Sequence, residues 1–498
     1  MSARVKQQGH LMAHIHILGI CGTFMGGIAA LAKSMGHRVT GSDRNIYPPM
    51  STQLEKLGIA VFADDDLSQL EPAPDLVIIG NALSRGHILV EHVLQRRLPY
   101  TSGPQWLGEQ MLRQKHVLAI AGTHGKTTTA SMLVWILEQA GLDPSFLVGG
   151  VVRPYGETAR LTTSPYFVIE ADEYDTAFFD KRSKFLHYFA NTLVINNLEF
   201  DHADIFSDLA AIQQQFAYVI RTVPSDGQVI YPHQPAVAEV LARGCWSQRI
   251  ATGTSEGWQV QLLNAAGSTF QVLHHNQVVA QVDWQLIGKH NAENALMAII
   301  AAVQVGIKPE QAAAALQQFT APARRLEFKG AYGNVRVYDD FAHHPTAIAT
   351  TIQALRAQIG PNDRLIAIFE PRSNTMKAGV HKNTLAPAFA GADMVYGLQP
   401  EEQDGWQLNQ ALAAAGMPVH VAQTVPELVA ELQKHYQDRQ EKSVGAHEIN
   451  ANAQNRKGES PKATVQEHWV VMSNGAFGGI HPLLATALEG VANYENSR

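Results

Sequence analysis

The sequence predicts an α/β fold built on parallel sheets and divided into three domains. Three observations lead there. Short continuous apolar runs recur at 15–19, 76–80, 117–121, 167–170, 193–196 and 365–369, each closing on Gly, Asn, Glu or a turn signal and alternating with longer helix-like stretches. Runs of that kind are strands covered on both faces, as in a parallel sheet between helices. The chain has 498 residues, more than one hydrophobic core supports. Two breaks then divide it: the polar seam Arg113, Gln114, Lys115 and the proline-bearing segment 320–323. The expected domains are 1–115, 116–322 and 323–498. Within the last, 437–466 is rich in Asn, Gln, Lys and Glu and reads as a mobile insertion.

Composition narrows the class. Hydrophobic residues make up 46% and charged residues 17%, as in a water-soluble globular protein. A formal net charge of -7 gives no footprint for nucleic acid, so any phosphate site must be made locally. Cys21 and Cys245 are too few for a disulfide framework and neither belongs to a CxxC pair, which suits a reducing compartment. The first 14 residues are polar and basic, and the apolar run after them is too short to span a bilayer. A cytoplasmic protein that binds neither nucleic acid nor membrane is expected.

The strongest motif is Gly122, Thr123, His124, Gly125, Lys126, Thr127, Thr128. It lies between the strand at 117–121 and a helical pattern at 130–139, the context that a phosphate-binding loop requires. Glycines let backbone N–H groups approach phosphate, and the helix N-terminus adds positive potential. Lys126 would hold the β- and γ-phosphates and Thr127 a Mg²⁺. Ile120 stands where the full pattern has its first glycine. A second glycine turn, from Gly19 through Gly22 to Gly27, follows the first strand, with Ser42 and Asp43 about 20 residues on, where a ribose contact is expected. This turn alone also fits a nicotinamide-binding enzyme or a ligand-free strand–helix turn.

Polar clusters sit where further strands end. Glu170, Ala171, Asp172 and Glu173 follow the strand at 166–169, and carboxylates there are placed to hold Mg²⁺. Asn197 to His202 follow the next strand. Asn291 and Asn294 are three apart and can share one helix face. Arg324 and Arg325 precede Asp339, Asp340, His343 and His344. The two histidines are adjacent and point different ways, with no CxxC or HExxH beside them, so the pair is not read as a zinc site. Glu370, Pro371, Arg372 and Ser373 form a polar strand exit suited to carboxylate recognition.

Taken in order, these motifs resemble the Mur ligase family: GTHGKTT at Gly122, EADE at Glu170, NLEFDH at Asn197, GKHNAEN at Gly288, RRLE at Arg324 and YDDFAHHPT at Tyr338. The resemblance covers nearly the whole chain, apart from the first dozen residues and 437–466. The opening HIHILGICGTFMGGIA is similar to the branch that adds L-alanine to UDP-N-acetylmuramate. GPQWL at Gly103, DKRSKF at Asp180, EPRSNTMK at Glu370 and SNGAFGGIH at Ser473 look closer to a recycling branch that attaches the tripeptide L-alanyl-γ-D-glutamyl-meso-diaminopimelate to the same nucleotide.

The resemblance implies a Rossmann-like UDP-substrate domain, a P-loop ATPase domain and a Rossmann-like C-terminal domain for the amine. It implies ATP and Mg²⁺, and an acyl phosphate formed on the substrate carboxylate. Carried over by motif, Glu170 and His202 would ligate Mg²⁺, with Glu173 a further candidate. Asn291 and Asn294 would face adenine, Arg325 the phosphates and Asp340 the ribose. Gly19, Gly22, Ser42 and Asp43 would lie near UDP, and Arg160 near the sugar or its phosphates. His202, His343 or His344 could take the amine proton, and Arg372 could bind a peptide carboxylate. Several branches use a carbamylated lysine about fifteen residues past the histidine matched by His202; Ala217 stands there, and 213–219 has no lysine. Addition of free L-alanine remains the alternative within the family. A nicotinamide dehydrogenase and a non-catalytic nucleotide switch are the alternatives outside it.

Overall fold

The computed structural model describes residues 12–47, 50–399, 405–454 and 465–496. The architecture is α/β, with three main sheets whose strands come from successive parts of the chain. The first sheet is five-stranded and wholly parallel, in the order Ala60–Phe62, Arg38–Ser42, His14–Leu18, Leu76–Ile79, Tyr100–Ser102. The chain therefore reverses its direction of winding beside His14–Leu18. Ligands of doubly wound folds bind at such a switch point, outside the carboxyl ends of the strands. The glycine turn lies there and leads into the helix Thr23–Ser34. That helix packs on the central sheet, and a methyl group on Gly27 would overlap Leu147.

The central sheet has ten strands. His116–Ala121 lies in its parallel core between Thr192–Ile195 and Tyr166–Glu170. All three are apolar and buried, which is why they read as continuous runs in the sequence. Their carboxyl ends are brought side by side, so motifs about 50 and 75 residues after the glycine loop meet it in space. The sheet continues outward as an antiparallel set, Trp258–Leu262, Thr269–His274 and Gln277–Asp283. A separate hairpin, Asp175–Ala177 with Asp180–Ser183, projects from the acidic motif.

The third sheet has six strands: Glu327–Tyr332, Val335–Asp340, Glu467–Met472, Arg364–Phe369, Met394–Leu398 and Val419–Ala422. Only its first pair is antiparallel. Glu467–Met472 enters late in the chain and completes the middle of this sheet, which gives Ser473 and Gly475 their place next to the exit of Arg364–Phe369. The helix Val425–Gln454 runs through much of the segment expected to be a mobile insertion. The polar residues that suggested mobility include Glu, Lys and Gln, which are also good helix formers. The rest of that expectation, 455–464, lies outside the described residues.

Candidate active site

The glycine loop behaves as the strand–loop–helix pattern predicts. Gly122 and Gly125 have φ of 123° and 79°, in the region that favours glycine. A Cβ on Gly125 would meet the side chains of Asn196 and Asn294. The helix Lys126–Gln139 begins directly after it. The loop is bolted to the next strand exit: His124 N–H donates to Asn197 Oδ1 at 2.7 Å, and Glu199 N–H donates to Thr123 Oγ1 at 2.9 Å.

The lysine of this loop is already partnered. Lys126 Nζ donates to Gly122 O at 2.7 Å and to Glu173 Oε2 at 2.9 Å. Burial opposes its charge, but Glu173, Asp172 and Glu170 outweigh burial and raise its pKa. Thr127 Oγ1 donates to Glu170 Oε1 at 3.0 Å, and Gly149 N–H donates to Glu170 Oε2 at 2.7 Å. Burial pushes the Glu170 carboxyl above its usual range. His202, held at a positive φ of 56°, places Nε2 3.0 Å from Glu173 Oε1. Burial works against its charged form, and the hydrogen bond and charge of Glu173 prevail, so its pKa is raised.

One ligand atom from each of Asp172, Glu173 and His202 lies within 4.8 Å of the others. Hard carboxylate oxygens beside a P-loop threonine fit Mg²⁺. The acidic run after the strand reads in sequence as a Mg²⁺ site and the family resemblance singles out Glu170, Glu173 and His202; Asp172 is the carboxylate of that run that closes the group. Lys184, for which the sequence suggests no role, has its Nζ 3.1 Å from Asp172 Oδ2. Burial alone would raise Asp172, but Lys184 and Lys126 hold it down to about 2. Lys184 Nζ is also 5.5 Å from the ring of Phe24, on the helix that the first glycine turn opens. The signal for Lys184 was its motif, DKRSKF, which was noted without a role for its last lysine.

These groups open onto a cavity of about 700 Å³ that runs between the central and C-terminal sheets. Asn291, Asn294, Arg325, Asp340 and His343 line it. Asn291 Nδ2 donates to Ile287 O at 2.7 Å, and the buried Asn294 lies against Gly125. Arg325 sits with its guanidinium 5.0 Å from the centre of the Phe341 ring, and burial lowers its pKa. Asp340, expected at the ribose, accepts bonds from Leu326 N–H at 2.6 Å, Ala342 N–H at 2.8 Å and Thr351 Oγ1 at 3.1 Å. Its carboxylate fastens the arginine turn to the strand end.

The histidines divide. His343 Nδ1 is 3.0 Å from Phe341 O, while its Nε2 is 4.0 Å from Asp201. Burial holds its pKa down to about 4. His344 caps the helix Pro345–Gln358, accepting from Thr346 N–H at 3.3 Å. His202 is tied to Glu173.

Other expected contacts are placed differently. Asp43 spends both oxygens on the first glycine turn and its own loop, accepting from Cys21 N–H and Asn45 N–H, each at 2.9 Å. Gly19 N–H donates to Ser42 O at 2.8 Å, and the buried Ser42 hydroxyl has no partner. Gly22 is the N-cap of the helix that follows. Arg160 is engaged within the chain: its Nη2 is 2.7 Å from both Glu138 and Asp143, and its guanidinium lies over Tyr155. Two nearby carboxylates, separated from it by 22 and 17 residues, claim the cation. Arg372 remains half exposed, with Nη1 3.4 Å from Glu370. Its strand exit docks on the loop after Asp201 through Thr375 Oγ1 to Asp201 Oδ1 at 3.0 Å and Asn374 Nδ2 to Asp204 Oδ2 at 3.0 Å.

The glycine loop, the carboxylate–histidine cluster and the cavity beside the C-terminal sheet together form one candidate active site, of the kind an enzyme uses. Residues 14–115 match the model for the Mur ligase family, catalytic domain; 120–302 match the Mur ligase middle domain; and 324–441 match the Mur ligase, glutamate ligase domain. The chain belongs to the Mur ligase family of ATP-dependent, amide-bond-forming enzymes. A Haemophilus influenzae protein named UDP-N-acetylmuramate–L-alanyl-γ-D-glutamyl-meso-2,6-diaminoheptandioate ligase is 50% identical over 483 residues, covering 96% of this chain and all of that protein. The Escherichia coli protein of the same name is 51% identical over 475 residues, covering 95% of this chain and 98% of its own length. The crystal structure of a murein peptide ligase from Psychrobacter arcticus aligns with a TM-score of 0.70 at 42% identity, covering 96% of this chain and 99% of that one. Among the described residues, no helix is long and apolar enough to cross a membrane.

Proposed function

We propose that this chain joins L-alanyl-γ-D-glutamyl-meso-diaminopimelate to UDP-N-acetylmuramate at the expense of ATP, returning a peptidoglycan fragment to the nucleotide-linked pool. The observation that carries the reading is the meeting of three turns at one place. The P-loop, the first glycine turn (through Phe24 and Lys184) and the Arg372 strand exit (through Thr375 and Asp201) all converge on the carboxylate cluster.

The chemistry follows from that convergence. Lys126 exchanges Glu173 for phosphate oxygens when ATP enters, and Arg325 offsets charge on the transferring group. Glu170, Asp172, Glu173, His202 and Thr127 would hold Mg²⁺, which supplies electrostatic stabilisation of the phosphates. Asn291 and Asn294 flank the base, with Asp340 acting through the turn that it fastens. The lactyl carboxylate, brought from the first domain past Lys184, would attack the γ-phosphorus of ATP, breaking the bond to the β,γ-bridging oxygen, so that ADP leaves and an acyl phosphate remains. The peptide amine then attacks the acyl carbon and phosphate leaves. His343 is the base best placed for the amine proton, because it lines the cavity, stays neutral and keeps Nε2 free of a close partner. Arg372 receives a peptide carboxylate.

The test is ATP-dependent product formation from UDP-N-acetylmuramate, with L-alanine and the tripeptide offered in separate reactions. Turnover with the tripeptide is the expected result. Turnover with L-alanine alone would overturn the peptide reading while leaving the phosphate site intact. Release of phosphate without any amine requirement would point to a nucleotide switch.

A further inference from the structure

We propose that His124, Glu199, His344 and His381 form a transition-metal site, suited to Zn²⁺, that ties the phosphate loop to the C-terminal domain. This site is separate from the Mg²⁺ cluster. His124 and Glu199 come from the central domain, at the P-loop and the neighbouring strand exit. His344 and His381 come from the C-terminal domain, at the start of the helix Pro345–Gln358 and just beyond the Arg372 exit.

The donor geometry is close to what a small tetrahedral ion needs. His124 Nε2 is 3.3 Å from Glu199 Oε2, and His344 Nδ1 is 3.6 Å from the same oxygen. One ligand atom from each of the three lies within 4.8 Å of the others. Donors bound at about 2.1 Å in a tetrahedron stand about 3.4 Å apart. The ring of His381 lies edge-on to that of His344, with centroids 4.4 Å apart, and its Nε2 is buried without a hydrogen-bond partner. His381 stands outside that three-residue group, so it would serve as fourth ligand only by turning its ring toward the ion, which would also give its orphaned nitrogen a partner.

The donor chemistry separates this group from its neighbour. Imidazoles with a single carboxylate select Zn²⁺ and similar borderline ions, whereas an oxygen-rich set selects Mg²⁺. Burial, with His124 and His381 nearby, holds His344 down to about 3, so its lone pair is available at neutral pH. Burial alone would raise Glu199, but bonds from His124 and Thr346 hold it down to about 2, so it carries a charge. The groups now satisfy one another through Thr346, whose hydroxyl donates to Glu199 at 2.7 Å and whose N–H donates to His344 at 3.3 Å. An ion would take over those acceptors with a small local shift. The adjacent pair His343–His344 is no zinc site by itself; the site needs His344 alone, completed by residues from another domain.

The experiment is titration of the full-length chain with Co²⁺, a spectroscopic stand-in for Zn²⁺, in a large excess of Mg²⁺ and without nucleotide. The expected result is one Co²⁺ per chain with the strong visible absorption of a tetrahedral site, displaced by Zn²⁺. Glu199→Gln and His381→Gln should each weaken uptake about tenfold or more. His344→Asn keeps a side chain that can cap the helix and removes the ring, so loss of uptake there is not loss of fold. Glu173→Gln, in the Mg²⁺ cluster, should leave uptake unchanged. Failure to take up Co²⁺ against Mg²⁺ would overturn the proposal, as would loss of uptake in Glu173→Gln with retention in His344→Asn.

Discussion

Two ion pairs near the cavity differ in a way that bears on their roles. Lys126 and Glu173 are 2.9 Å apart, and the glutamate side chain is 2% exposed. Arg372 and Glu370 are 3.4 Å apart, and the arginine side chain is 49% exposed. In the first pair each charge depends on the other, and removing one partner of a buried pair costs about 3–5 kcal/mol. A half-exposed pair at the longer distance contributes little and is screened by water. On the proposed function, the buried pair would be a placeholder that only a group as strongly anionic as a triphosphate with its metal displaces. The exposed pair leaves a guanidinium that a peptide carboxylate can recruit with little loss.

The comparison is tested most severely at Lys126. Lys126→Ala should reduce tripeptide-dependent phosphate release by about a thousandfold or more, since it removes a phosphate donor and strands Glu173. Near-normal turnover would mean that the P-loop does not carry the phosphates. Arg372→Ala should act on a different parameter. The KM for tripeptide should rise about tenfold to a hundredfold, the loss of one charge-assisted bond, with the KM for ATP unchanged. Equal rises in both would erase the distinction between the two pairs.

The acid side sharpens it further. Asp172 is held at about 2 in the folded protein and titrates near 3.9 when unfolded. A depressed carboxyl gives stability that is present above the unfolded value and lost as pH falls through the folded one. Denaturant stability should therefore decline between about pH 4 and pH 2. Lys184→Met should make that decline shallower by letting Asp172 rise; an unchanged profile would show that Lys184 is not its main counter-charge. The smallest effect is expected at Arg160, where Arg160→Met should cost about 1 kcal/mol of stability and leave the KM for UDP-N-acetylmuramate unaltered. A raised KM there would restore the sugar contact that the sequence suggested.

What could be read in the sequence follows the same division between local and distant. The strands at 117–121, 167–170 and 193–196 were legible because burial on both faces writes a continuous apolar run. The phosphate loop was legible because strand, glycines and helix are contiguous. The pairing of Asp172 with Lys184 was not, because it spans 12 residues and a hairpin that no pattern announced. The partners of Arg160 were illegible for a related reason: Glu138 and Asp143 lie 22 and 17 residues away on other elements. The site of His124, Glu199, His344 and His381 was illegible in principle, since two domains must be docked before its atoms meet.

The helix Leu209–Thr222 carries Ala217, 1% exposed, at the position where the family resemblance directs attention to a carbamylated lysine. A methyl group packed against the core offers no amine to capture dissolved carbon dioxide. The helix Leu209–Thr222, which holds no lysine, therefore brings no carbamate to the carboxylate cluster.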